Sequence, residues 1–245
     1  MKVLQDILST IEKRAKKTAV KDVRIGPFWT AVKTLYGGMA STFFKHEPGM
    51  KPPIPEPGKL TDKSALELCR WADSENMLRS SLGLAAINSM LEVNLDDYRE
   101  VNAGDLLLAE GEDKNVTVVG HFPFIKKLQT VAKNLWVLEK RPQPGDLPAD
   151  KAPEVIPESD IIAITSTTLL NNTFTELIEL CPESSLVMML GPTTPLSPVL
   201  FDYNIDIISG TRVVAPEVVL KMVSEGVVFR QMHGKGIKLL TTFKN

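Results

Sequence analysis

Apolar positions recur along this chain in two distinct rhythms. Near its start, Val3, Leu4, Ile7, Leu8, Ile11 and Ala15 follow helical spacing, while Lys13, Arg14, Lys16 and Lys17 occupy the other face. Residues 20–25, 28–35 and 39–44 then read as three strands, broken at Gly26-Pro27 and at a Gly37-Gly38 turn, which predicts a small antiparallel meander. Residues 47–58 carry Pro48, Pro52, Pro53, Pro55 and Pro57, with His46 at their entrance. Proline lacks an N–H and fixes φ, so this stretch is expected to be an extended surface loop. Helices are expected over 61–71 and 75–91. The second contains SLGLAAINSML, whose small residues let it lie close to a sheet.

Past residue 115 the rhythm changes. Strand patterns at 116–120, 135–139, 160–165, 186–190, 205–209 and 237–242 are interleaved with helix patterns at 123–132, 173–180, 197–201 and 216–224. Such alternation predicts a largely parallel sheet with helices on both faces. The expected fold class is α/β, with an α+β domain over 1–110 and a Rossmann-like domain over 111–245. Residues 140–159 are interrupted by Pro142, Pro144, Pro148, Pro153 and Pro157, too broken for a crossover helix, and read as a long loop beside Glu139.

In an open parallel sheet the carboxyl ends of the strands share one edge, where ligands bind. The first strand delivers Gly120, His121, Phe122 and Pro123 to that edge, and the second Glu139 and Arg141. The third delivers Thr165, Thr167, Thr168, Asn171 and Asn172, the fourth Gly191, Pro192, Thr193 and Thr194, and the fifth Gly210 and Arg212. Thr173 with Glu176 has the form of a capping box, and Ser197 is placed to cap the next helix. From the first half, Trp29 and Thr30 offer either a flat wall for a ring-shaped ligand or core filling, and Asn88 either holds a loop or faces the cleft. His121 suits an acid, a base or a metal ligand. Glu139 suits a partner to His121, or the acid that holds a ribose in dinucleotide folds. GHFPFI supplies one glycine where the pyrophosphate fingerprint needs three, so no tightly held pyrophosphate is implied. The threonine-rich loops and Arg212 suit an anionic group.

Composition narrows the partners. A net charge of −2 with 24% charged residues gives no electrostatic case for nucleic acid or an acidic membrane, and no apolar run approaches membrane length. A cytoplasmic protein with small-molecule partners is expected, its oligomeric state open. Cys69 and Cys181 lack metal or redox spacing and read as core thiols; His46 and His233 are not spaced with a second ligand. Nucleophile-elbow, P-loop, zinc-protease and kinase signatures are missing.

The segments VGHFPFI, VLEKRPQPGDLP, IIAITSTTLLNNT, LGPTTPLSPVLFDYNIDIISGTRV and SLGLAAINSML together resemble a two-domain family labelled for heavy-metal chelation and otherwise of unknown function. The resemblance implies an N-terminal domain like the small domain of enolase, a Rossmann-like C-terminal domain, and an active site in the cleft between them. It also implies a role in chelation or in metal-chelator and corrin metabolism. Three readings stand side by side: a protein acting on a metal, a chelator or their complex; a transferase or oxidoreductase using S-adenosylmethionine or a nicotinamide nucleotide; and an interaction protein without a ligand. Whether there is a cofactor stays open, with a metal ion and a nucleotide-like molecule as the candidates.

Overall fold

The structure, a computed structural model, describes residues 1–44 and 52–244. His46 and the start of the proline-rich stretch lie outside the described residues. The chain opens with helix α1 (Lys2–Ala15), whose Val3, Leu4, Ile7 and Ile11 are all buried. The expected meander follows as β1 (Asp22–Ile25), β2 (Trp29–Lys33) and β3 (Gly37–Ser41), paired antiparallel in that order. Gly37 and Gly38 are not its turn. They begin β3, and residues 34–36 make the connection.

Helices α2 (Ala65–Cys69) and α3 (Met77–Met90) come next. The first is shorter than its apolar pattern suggested, because 3-10 turns flank it; Ser64 and Glu67 form a capping box at its start. Helix α3 is buried almost all round, and Gly38 is why it can approach so closely. A methyl group there would stand 2.2 Å from both Ala85 O and Ser89 N.

Helix α4 (Ala103–Glu110) leads into β4 (Asn115–Val119), α5 (Ile125–Leu128), β5 (Asn134–Glu139) and the two-residue β6 (Leu147–Pro148). Helix α6 (Ala152–Val155), β7 (Ile161–Thr165), α7 (Phe174–Ile178), β8 (Leu186–Leu190) and β9 (Ile207–Val213) continue the alternation. The chain closes with α8 (Pro216–Ser224), α9 (Phe229–Met232) and β10 (Ile237–Phe243). Strands β4 to β9 pair in parallel in the order β6-β5-β4-β7-β8-β9, so the sheet is mostly parallel within a mixed α/β fold. Both faces are covered: Ile162 and Ile164 of β7 join one core cluster, while Ile161 and Ala163 join the other with Leu107 and Leu128.

Several expectations are corrected. Residues 140–159 are not an unstructured loop; they contain β6, α6 and two 3-10 turns, since proline is tolerated at the first positions of such short helices. The helix expected over 123–132 is regular only at α5. Thr173 makes no cap, its hydroxyl donating instead to Asn171 Oδ1, and Ser197 caps nothing with its side chain. Strand β10 runs antiparallel to β9 along its whole length.

Strand β9 extends past the expected turn at Gly210 and joins everything. Its first residues pair with β8, its Val213 pairs with Gly37 of β3, and its other side is taken by β10. One sheet therefore runs from β1 to β6. Helix α8 packs on β1 and β2, and Ala31 of β2 and Met39 of β3 share a buried cluster with its Val219 and Val223; Val32 and Ala40 belong to the cluster that contains α3. The meander is thus sandwiched between α3 and α8. Gly38→Ala is expected to cost about 1–3 kcal/mol, because the clash is with backbone rather than a movable side chain, read as a lower urea midpoint.

Candidate functional site

The strand order reverses between β4 and β7: the chain leaves β4 outward to β5 and β6, then returns to β7 on the other side. Ligands of doubly wound sheets bind at such a reversal. Gly120 follows β4 there with φ +102°, in the left-handed region, and a methyl group on it would lie 3.2 Å from Thr165 Cβ. The turn swings the next residue, His121, over the end of β5. Its backbone N–H donates to Glu139 Oε1 at 2.8 Å, while Glu139 Oε2 accepts from Lys140 N at 3.1 Å. Each oxygen of Glu139 thus holds one main-chain N–H and keeps a lone pair for a further donor.

The partner of the imidazole is Asp146. His121 Nδ1 lies 3.0 Å from both Asp146 carboxylate oxygens, and that carboxylate is only 3% exposed against 29% for the imidazole. Asp146 also accepts from Gln143 N at 3.0 Å, so it closes its own turn. Pairing of Leu138 with Leu147 and of Glu139 with Pro148 carries Asp146 to the end of β4. The only hint in the sequence was Asp146 standing in the proline-broken stretch beside Glu139. With Nδ1–H directed at a carboxylate, Nε2 keeps the lone pair, free to accept a proton or bind a metal.

The remaining rim residues form a line of contacts from this dyad toward β9. Thr165 Oγ1 and Thr167 Oγ1 stand 3.1 Å apart, and Thr168 Oγ1 donates to Thr165 O, so these hydroxyls stabilise the turn after β7. Asn171 binds Thr173, and Asn172 takes a positive φ of 59° in the same loop. Gly191 lies against Ser166 Oγ, a buried hydroxyl with no partner among the described residues. Past Pro192, Thr193 Oγ1 accepts from Ser41 N at 2.9 Å. Asn88 Nδ2 donates to Thr193 O and to Met39 O, so the amide holds the segment after β8 against β3.

Other expected site residues are placed elsewhere. Gly210 and Arg212 lie inside β9, not after it. Arg212 donates to Leu91 O at 3.0 Å, its guanidinium 4.2 Å from the Tyr36 ring centre, and burial lowers its pKa. Trp29 packs on Phe229, with ring centres 5.6 Å apart, and Thr30 Oγ1 pairs with Thr42 Oγ1 at 2.8 Å. Phe122 stacks on Phe124, whereas Pro123 and Arg141 are exposed. An open groove of about 420 Å³ between β1, β2 and α8 lies away from this rim, and ion pairs such as Lys33–Glu217 and Arg24–Asp22 line it.

A model of the family DUF364, described as "Putative heavy-metal chelation", matches residues 102–242, and one of DUF4213, with the same description, matches residues 8–91. The chain belongs to the DUF364 family. An uncharacterized protein of Methanocaldococcus jannaschii is 27% identical over 179 residues, 69% of each chain. Among solved structures, a DUF364 protein of unknown function from Desulfitobacterium hafniense is 22% identical, with a TM-score of 0.85 over 99% of this chain and 98% of its own. Another from Pyrococcus horikoshii is 21% identical, with a TM-score of 0.83 over 97% of this chain and 98% of its own. These likenesses establish the fold.

The described residues do not fit a resident metal centre of the kind the DUF364 description suggests. No group of three or more His, Cys, Asp or Glu among them is placed to hold an ion. Cys69 and Cys181 are both buried and unpaired, and burial pushes each thiol up to about 12, which removes the soft thiolate ligands.

Two outcomes are expected. Unfolded thiols ionise from about pH 8.5 while the folded ones stay protonated, so stability is whole below that pH and falls above it. The urea midpoint should drop between about pH 8 and pH 10, less so in Cys181→Ala, and iodoacetamide should label only unfolded protein. Asp146→Asn should cost about 1 kcal/mol and speed hydrogen exchange at the Gln143 amide.

Proposed function

We propose that this DUF364 protein binds a metal that arrives already held by an organic chelator, in a cleft between residues 1–110 and 111–245, with His121 Nε2 supplying the one protein ligand. The observation that carries the reading is the His121–Asp146 pair. A carboxylate on the far ring nitrogen fixes the tautomer and aims the ring, as in metal-ligating histidines. A single aimed imidazole suits a complex whose chelator fills the other positions and suits a bare ion poorly. The half-buried hydroxyls of Thr165 and Thr167 and the backbone groups of that turn would then take the chelator's polar groups. Handling a corrin-type or other metal chelate is the role this favours, in a cytoplasmic setting; no helix among the described residues is long and apolar enough to cross a membrane.

A nucleotide-dependent reading has one observation in its favour, the reversal of strand order beside Gly120. Against it, GHFPFI has one glycine where the pyrophosphate fingerprint needs three.

Aquocobinamide is a suitable probe, because imidazole coordination to its cobalt shifts the absorption spectrum. The wild-type protein should produce the shift and His121→Ala should not, while Asp146→Asn should weaken binding by roughly 10- to 100-fold. Native mass spectrometry of protein purified without oxygen or chelator should show the same dependence for any retained complex. A retained nucleotide mass, unaffected by His121→Ala, would replace this reading with the other.

A further inference from the structure

Two glycines flank the end of β7. Gly120, after β4, has φ +102°, and Gly191, after β8, has φ +118°, conformations that residues with side chains rarely adopt. Strands β4, β7 and β8 are neighbours, so the two turns stand roughly 10 Å apart, with the turn of Thr165, Ser166 and Thr167 between them. The spaces beside them differ. A Cβ on Gly120 would meet Thr165 Cβ and Cγ2, both at 3.2 Å, and Phe122 Cε2 at 3.3 Å. A Cβ on Gly191 would meet one atom within 4 Å outside its own turn, Ser166 Oγ at 3.1 Å. Gly191 thus faces a notch whose one polar wall is that hydroxyl.

Ser166 is 0% exposed, and its Oγ has no hydrogen-bond partner among the described residues. The turn is held without it: Thr165 Oγ1 lies 3.1 Å from Thr167 Oγ1, and Thr168 Oγ1 donates to Thr165 O. A buried hydroxyl that holds nothing is costly, and alanine would fill the same space without that cost. Gly191 and Pro192 are half-buried, which places the notch on the rim. Thr193, next in the chain, is fixed against Ser41 N of β3.

The lining selects the chemistry of a ligand group. A hydroxyl donates or accepts, so either an amide or a hydroxyl satisfies it. No charged side chain comes within 4 Å of the Cβ position on Gly191. A carboxylate or phosphate entering there would give up its hydration for a single neutral hydroxyl, an exchange that disfavours charge.

We propose that the notch between Gly191 and Ser166 holds a neutral polar group, a primary amide or a hydroxyl, at the edge of the ligand bound by His121. The identity of that ligand rests on the metal-chelate reading; the preference for an uncharged group does not. The chelator so selected carries amide or hydroxyl arms rather than carboxylates.

The test uses Ser166→Cys, because Cys69 and Cys181 are buried and leave an unreactive background. In the folded protein, methyl methanethiosulfonate should label the thiol introduced by Ser166→Cys and leave the wild type unlabelled. Acetamide at high concentration should slow that labelling, and sodium acetate should not. Failure to label the folded variant, or equal slowing by acetate, overturns the inference. Aquocobinamide, which carries amide arms, should slow labelling roughly tenfold at ten times its dissociation constant, since only free protein reacts. A spectral shift that depends on His121 with labelling unchanged overturns the notch as part of that site. Protection by acetamide without any binding of aquocobinamide keeps the notch and removes the chelate reading. Ser166→Ala supplies a second measurement: its melting temperature without ligand should stay level or rise, and a fall of about 2–4 °C would show that the hydroxyl already has a partner in the protein, overturning the proposal.

Discussion

Strand β9 has to satisfy hydrogen bonds to three neighbours at once, and the rest of the molecule is arranged around that demand. Its early residues complete the parallel ladder with β8, its last residue meets β3, and β10 takes the whole of its other side. A backbone group left unpaired in so buried a strand would be costly, so all three partners are held in register. The register in turn brings Asn88, Thr194 and Arg212 around one small space.

The parallel strands were legible because strands buried on both faces read as unbroken apolar runs, as in IIAIT and LVMML, and α8 was legible to the residue from its proline start and helical spacing. The length of β9 was not. Gly210, Thr211 and Arg212 resemble turn residues, and nothing local reveals that β10 and β3 wait to pair with them. The Gly37-Gly38 dipeptide misled for a related reason: its lack of side chains serves the close approach of α3, not a reversal of the chain.

The candidate site divides in the same way. The rim after β4, β7 and β8 followed from the rule that parallel strands end on one edge, and His121 stood out as the titratable group at the first turn. Asp146 did not, because its contact with His121 spans 25 residues and depends on the two-residue pairing of β6 with β5. Glu139 had the expected position, and its oxygens also hold the amides of His121 and Lys140. Sequence position fixed where these groups sit; hydrogen-bond partners decide what they are free to do.

The sandwiching of the meander between α3 and α8 has a consequence for synthesis. Ala31 and Met39 are covered by Val219 and Val223, which leave the ribosome only after most of the chain has emerged. Until then one face of the first three strands is open to water, and the edge of β3 that meets Val213 has no strand beside it. Contacts this distant along the chain slow folding, and an uncovered apolar sheet face invites association with other chains. Until α8 arrives, the early part of the protein therefore presents an apolar face of the kind chaperones bind.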